Sequence, residues 1–200
     1  MITTENSPNY YKHPKAGTGY DGVVRISVED NFGTGSLLYT GIHILTAAHV
    51  LTLDGETVNP KNISIQFDTA TGRTTLGAQQ ILIHPNYQLA SSNYDLALIT
   101  LAQAAPNNAD RYTLYRDNQE TSATATLVGY GWQGTGLTGE KSIVNQRSKA
   151  QNNLEMTTGE LEAALGYQLT WQPDADTILV ADFDKGSSSY DTLGQISGRP

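Results

Sequence analysis

Cysteine is absent, so neither a disulfide nor a thiolate metal site can form. Charge is scarce too: Asp, Glu, Lys and Arg make up 16% of the 200 residues. Basic residues are the scarcer kind, twelve Lys and Arg against twenty Asp and Glu, which gives a formal net charge of -8 and a pI near 4.8. Nucleic acid is thereby disfavoured as a partner, because neutralising phosphates requires clustered basic side chains. No apolar run approaches the roughly 20 residues that a membrane-spanning helix needs, so no membrane partner is expected. Met1 to Lys15 is polar and has no apolar core of the kind a secretory leader carries. Residues 1–19 read as a flexible arm.

What is present suits an all-β protein. The hydrophobic fraction is 38%, enough for a core in one large domain or two small ones. Gly, Ser, Thr, Asn and Gln are plentiful, and apolar residues come in short runs bounded by turn formers. The runs are Val23 to Val28, Ser36 to Tyr39, His43 to Ala47, Ile63 to Phe67, Gln80 to His84, Leu96 to Leu101, Thr124 to Tyr130 and Ile178 to Phe183. Each has the length of a strand, and Ile63-Ser64-Ile65-Gln66-Phe67 alternates as a half-buried strand does. Asp54-Gly55, Thr71-Gly72 and Gly134-Thr135-Gly136 supply turns. Glu160 to Leu165, rich in Glu, Leu and Ala, reads as a helical turn or two, or more simply as a surface loop. The polar stretch Asn107 to Gln119 follows Pro106 and separates two strand-rich blocks.

Four histidines offer candidate chemistry. His13 lies in the polar arm, His84 precedes Pro85 at a strand end, and His43 opens a strand; all three read as structural or solvated. His49 ends the run Ile44-Leu45-Thr46-Ala47-Ala48-His49, where small neighbours leave space around an imidazole. On that ground alone a satisfied core histidine is the simpler reading. Asp95 opens Asp95-Leu96-Ala97-Leu98-Ile99-Thr100-Leu101, a strand apolar on both faces and expected to be buried. A carboxylate there needs hydrogen-bond partners. An imidazole N–H is one such partner, and backbone N–H groups would serve equally well.

Thr46-Ala47-Ala48-His49 resembles the histidine motif of the trypsin-like (chymotrypsin-fold) serine proteases, and Asp95-Leu96-Ala97-Leu98-Ile99 resembles their aspartate motif. The 46-residue separation of His49 and Asp95 is close to that of the family. Gly33-Thr34-Gly35-Ser36-Leu37-Leu38 resembles the strand before the histidine, and Val128-Gly129-Tyr130-Gly131-Trp132 the strand that opens the second barrel. The resemblance implies a double Greek-key β-barrel, with residues 20–115 as the first barrel and residues 121–200 as an incomplete second one. It also implies a serine endopeptidase: His49 as general base, Asp95 orienting it, a protein or peptide substrate, and no metal or organic cofactor.

The same comparison exposes departures. The Gly-Asp-Ser-Gly-Gly nucleophile motif is missing, and Ser187, Ser188, Ser189 and Ser197 lack the flanking glycines of an oxyanion hole. The serine is therefore expected beyond residue 200, either in the same polypeptide or on a second chain that carries the rest of the second barrel. The 200 residues alone are expected to be inactive. Val50 stands where many members place a cysteine, so packing must hold the loop around His49. Tyr20-Asp21-Gly22-Val23 replaces the usual activation sequence. These features resemble a cysteine-free branch of secreted bacterial proteases, which implies an extracellular location. A rival reading is a non-catalytic binding module on the same fold. A metal hydrolase has no HExxH-type spacing to support it, and no carboxylate pair singles out a glycosidase.

Overall fold

The computed structural model describes residues 2–3, 13–117, 119–121, 123–135, 138–175, 177–182 and 192–197. Along the first half run β1 (Ile2–Thr3), β2 (Val23–Val28), β3 (Asn31–Leu37), β4 (His43–Thr46), β5 (Thr52–Leu53), β6 (Glu56–Thr57), β7 (Ile63–Thr69), β8 (Gly72–Ile83) and β9 (Ala97–Leu101). The second half holds β10 (Ala123–Thr135), β11 (Gly139–Leu154), β12 (Met156–Thr157), α1 (Thr158–Leu165), β13 (Leu179–Val180) and α2 (Thr192–Ser197). Among the described residues, no helix is long and apolar enough to cross a membrane.

Six strands close a barrel in the order β2-β3-β4-β9-β8-β7. After the meander β2-β3-β4, the chain returns so that β7 lies antiparallel beside β2, which is the Greek-key connection. Alternation in the sequence dictates which side chains face in. Ile63, Ile65 and Phe67 of β7 are buried while Ser64, Gln66 and Asp68 between them are not. With Val24, Ile26, Val28, Leu37, Ile44 and Ile99 they form one core. Burying each such aliphatic or aromatic side chain contributes about 1.5–3 kcal/mol relative to leaving it in water.

The second half is built differently. β10 and β11 form one long antiparallel hairpin, with irregular register at Gly129/Gly131 and at Gln133/Gly134, and β1 pairs parallel to the far end of β10. β12 pairs with β13. Among the described residues these sheets stay open.

The hairpin is fastened to the barrel by polar contacts. The Tyr130 N–H donates to Thr34 Oγ1 at 2.9 Å, and the Tyr130 hydroxyl to Asp68 Oδ2 at 3.2 Å. Arg147 of β11 reaches into the barrel entry, donating to Asp21 Oδ1 at 2.6 Å and to the Val23 and Asp68 carbonyls at 3.3 Å.

Three expectations need correction. Glu160 to Leu165 belongs to a true helix: Thr157 accepts from the Glu160 N–H, Glu160 reaches back to the Thr157 N–H, and Gly166 ends it in the left-handed region. The reciprocal cap accounts for a short helix that composition alone favours weakly. The whole of β11 was also absent from the expected strands. Its sequence is mostly Ser, Asn, Gln, Lys and Arg, and its first half is solvent-exposed on both faces. Its strand conformation comes from pairing with β10, since no apolar alternation marks it. Ile178 to Phe183 shrinks to β13, and Phe183 lies outside the described residues.

Candidate active site

β4 and β9 are neighbours, with Thr46 opposite Ala97. The chain therefore leaves β4 and enters β9 at the same end of the barrel. Just past β4, Ala48–Leu51 forms one 3₁₀ turn. Ala48 and Leu51, three apart and hence on one side of such a turn, are fully buried in the core. That packing turns His49 outward, and its side chain is 60% exposed. Val50 leans on Gly33, where an added Cβ would meet the Val50 methyls at 2.7 Å. Val50, where no disulfide can form, thus packs against the β3 backbone. Thr52 Oγ1 adds a 2.9 Å hydrogen bond to the Ala48 carbonyl.

Asp95 sits two residues before β9. Its Oδ1 accepts the His49 backbone N–H at 2.8 Å, and its Oδ2 lies 2.6 Å from His49 Nδ1. One carboxylate thus fixes both the backbone and the ring of the same residue. An ionised carboxylate only accepts, so paired with one Nδ1 carries the proton and a neutral ring keeps its lone pair on Nε2. A base with that tautomer is ready to take a proton from a group arriving at Nε2.

The surroundings are wetter than the sequence implied. Asp95 keeps 21% of its side chain exposed and Leu96 is 49% exposed. Only the inner face of β9 (Ala97, Ile99 and Leu101) is buried, while Leu98 and Thr100 are half-buried. Tyr87 lies close enough that burial, and then the charge of Asp95, raise its pKa. Beside the turn, Thr52, Thr57, Ile83, His84, Tyr87 and Leu89 line an open cavity of about 310 Å³.

The remaining histidines have local partners. His13 Nδ1 lies 3.3 Å from the Arg147 carbonyl and 3.2 Å from Ser148 Oγ. His43 Nδ1 lies 2.9 Å from Thr40 Oγ1. His84 Nδ1 accepts the Asn86 N–H at 3.2 Å, and its ring stacks on Tyr94. Ser187, Ser188 and Ser189 lie outside the described residues, as does the side chain of Ser197. Asn93 and Tyr94, immediately before Asp95, were missed by the sequence reading. A polar Asn beside an aspartate looks like loop material, and its burial depends on a segment some eighty residues away.

The family model described as Trypsin matches residues 12–169. No curated protein sequence matches the chain. Among solved structures, the scabies mite inactivated protease paralogue S-D1 is similar at a TM-score of 0.60 with 18% sequence identity. That likeness covers 78% of this chain and 65% of the mite chain, and at such identity it speaks for the fold. The chain spans just under two thirds of the length of the mite protein.

Proposed function

The chain belongs to the trypsin family, and from that premise we propose that it is the His–Asp portion of a serine endopeptidase. The observation that carries the reading is the two-point contact of Asp95 with His49, 2.8 Å to the backbone N–H and 2.6 Å to Nδ1. His49 Nε2 takes the proton of a serine hydroxyl as that oxygen attacks the substrate carbonyl, then returns it to the leaving amine. Asp95 holds the ring and stabilises the imidazolium formed in between. The serine and the oxyanion-hole donors come from outside the 200 residues, on the same polypeptide or on a second chain. A protein or peptide substrate lies extended along the barrel edges, its main chain pairing as an added strand. Export from a bacterial cell is part of the same reading; it rests on the cysteine-free, acidic composition and is tested by finding the protein in culture supernatant.

Peptide hydrolysis by the complete gene product tests the reading. His49→Ala and Asp95→Asn are each expected to lower kcat by about 10⁴-fold, with KM changed far less. Hydrolysis that survives either change within a few-fold contradicts the assignment.

The similarity to an inactivated protease paralogue of the scabies mite favours one other reading, a binding module that keeps the fold without the reaction. A binding module has no use for an oriented base, and the intact His49–Asp95 pair speaks against it.

A further inference from the structure

Asp95 is delivered to His49 by an unusual turn. Ser92 (φ 54°) and Tyr94 (φ 53°) both occupy the left-handed region, one on each side of Asn93. Neither is glycine, so each conformation is unfavourable by itself and persists only where the surroundings impose it. Asn93 is 2% exposed and supplies that imposition. Its Oδ1 accepts the Asp174 N–H at 2.9 Å, and its Nδ2 donates to the Gln172 carbonyl at 3.3 Å. The two partners are a donor and an acceptor of one backbone segment, which fixes the orientation of the amide. Pro173 between them is buried.

The Asn93 backbone is tied down as well, its carbonyl accepting the Gln88 N–H at 3.0 Å. Tyr94 follows suit. Its hydroxyl hydrogen-bonds the Asp174 side chain, and its ring stacks on His84 with centroids 4.9 Å apart. The next residue is Asp95. A segment of the second half therefore grips the residues that set the position of the aspartate.

We propose that Asn93 is a positioning residue for the His49–Asp95 pair: its amide, clamped between the Gln172 carbonyl and the Asp174 N–H, holds the left-handed turn that brings Asp95 to His49. The role in catalysis rests on the protease reading, whereas the coupling of Asn93 to the pair does not. Because the clamp comes from residues 172–174, the geometry of the base depends on that segment of the second half being docked. No other uncharged side chain of this size offers both a donor and an acceptor in the same plane, which is why Asn suits the position.

The tautomer of His49 reads the coupling directly. It is measured by two-bond proton–nitrogen correlation of the imidazoles, which distinguishes the two ring nitrogens. Wild type, Asn93→Ala and Asn93→Asp are compared. Asn93→Ala deletes both hydrogen bonds; Asn93→Asp keeps an acceptor for the Asp174 N–H and loses the donor to Gln172. The wild type is expected to show His49 protonated at Nδ1. Asn93→Ala is expected to lose that signature in favour of Nε2–H, with His13 and His43 unchanged as internal checks on the fold. If Asn93→Ala unfolds, Asn93→Asp carries the test and is expected to lose the signature in part. A folded variant whose His49 stays protonated at Nδ1 to the wild-type extent overturns the proposal, and so does a wild type whose His49 is protonated at Nε2. Failure of the protease reading looks different: a complete gene product that hydrolyses nothing, while His49 still responds to Asn93, leaves a positioned pair without a reaction.

Discussion

Asp68 shows how single residues settle the balance at the joint between barrel and hairpin. Burial raises its pKa, but hydrogen bonds from Arg73, Gln66 and Tyr130, together with the Arg73 charge, outweigh burial and lower it. A folded-state pKa lowered below the ordinary value of 3.8 means that Asp68 stabilises the fold above about pH 4. That contribution is lost as pH falls through the lowered pKa. Asp68→Asn is therefore expected to flatten the acid limb of a plot of Tm against pH, leaving the limb near neutrality almost parallel to the wild type. The partner hydroxyl of Tyr130 is pushed up to about 12 by burial and by the Asp68 charge, so it remains a donor throughout that range.

Gly22 answers to a harder constraint. A Cβ there would stand 1.9 Å from the Asp110 carbonyl oxygen, a backbone atom that cannot swing aside. Gly22→Ala is expected to cost about 2–3 kcal/mol, read from urea denaturation at an unchanged m-value.

At the scale of elements, a buried ion pair is one of the contacts that fasten the hairpin β10–β11 to the barrel. Arg147 and Asp21 leave only 3% and 2% of their side chains exposed and meet at 2.6 Å. Asp21 Oδ2 also accepts the Gly17 N–H at 2.7 Å, so both carboxylate oxygens are used. Deleting one partner leaves the other charge buried without its counter-ion. Arg147→Met alone is expected to cost about 3–5 kcal/mol, and Arg147→Met combined with Asp21→Asn clearly less, in a double-mutant cycle followed by urea denaturation.

Legibility follows the same division. Strands β2, β4, β7 and β9 of the first barrel could be read from their apolar residues, as with the alternating Ile63, Ile65 and Phe67, whereas β3 and β8 were caught only at their ends, Ser36–Leu37 and Gln80–Ile83. β11 could not, since its partner strand rather than its side chains makes it a strand. The short turn that exposes His49 was foreshadowed by its small neighbours, Ala47 and Ala48. The Asn93 clamp was hidden, because its partners are backbone groups at 172 and 174 and backbone groups leave no trace in residue type. The exposure of Leu96 was missed for a related reason: an apolar run reports its own hydrophobicity, not what lies over its outer face.

For the molecule as a whole, a closed barrel brings the two site elements together, and residues 172–174 of the second half supply the clamp on the turn before the aspartate. The barrel needs nothing beyond its own six strands to bring β4 and β9 together. The second half contributes through polar contacts: Tyr130 and Arg147 at one joint, residues 172–174 at the other. On the proposed reading, the closed barrel holds the His49–Asp95 pair and the serine comes from outside these 200 residues.

That arrangement is tested most directly with a fluorophosphonate probe on the complete gene product, reading the intact mass of every chain and locating the adduct. The account predicts one adduct, on a serine outside the 200 residues, that disappears in His49→Ala. Labelling that persists at full rate without His49, or a complete product that never labels, would contradict it.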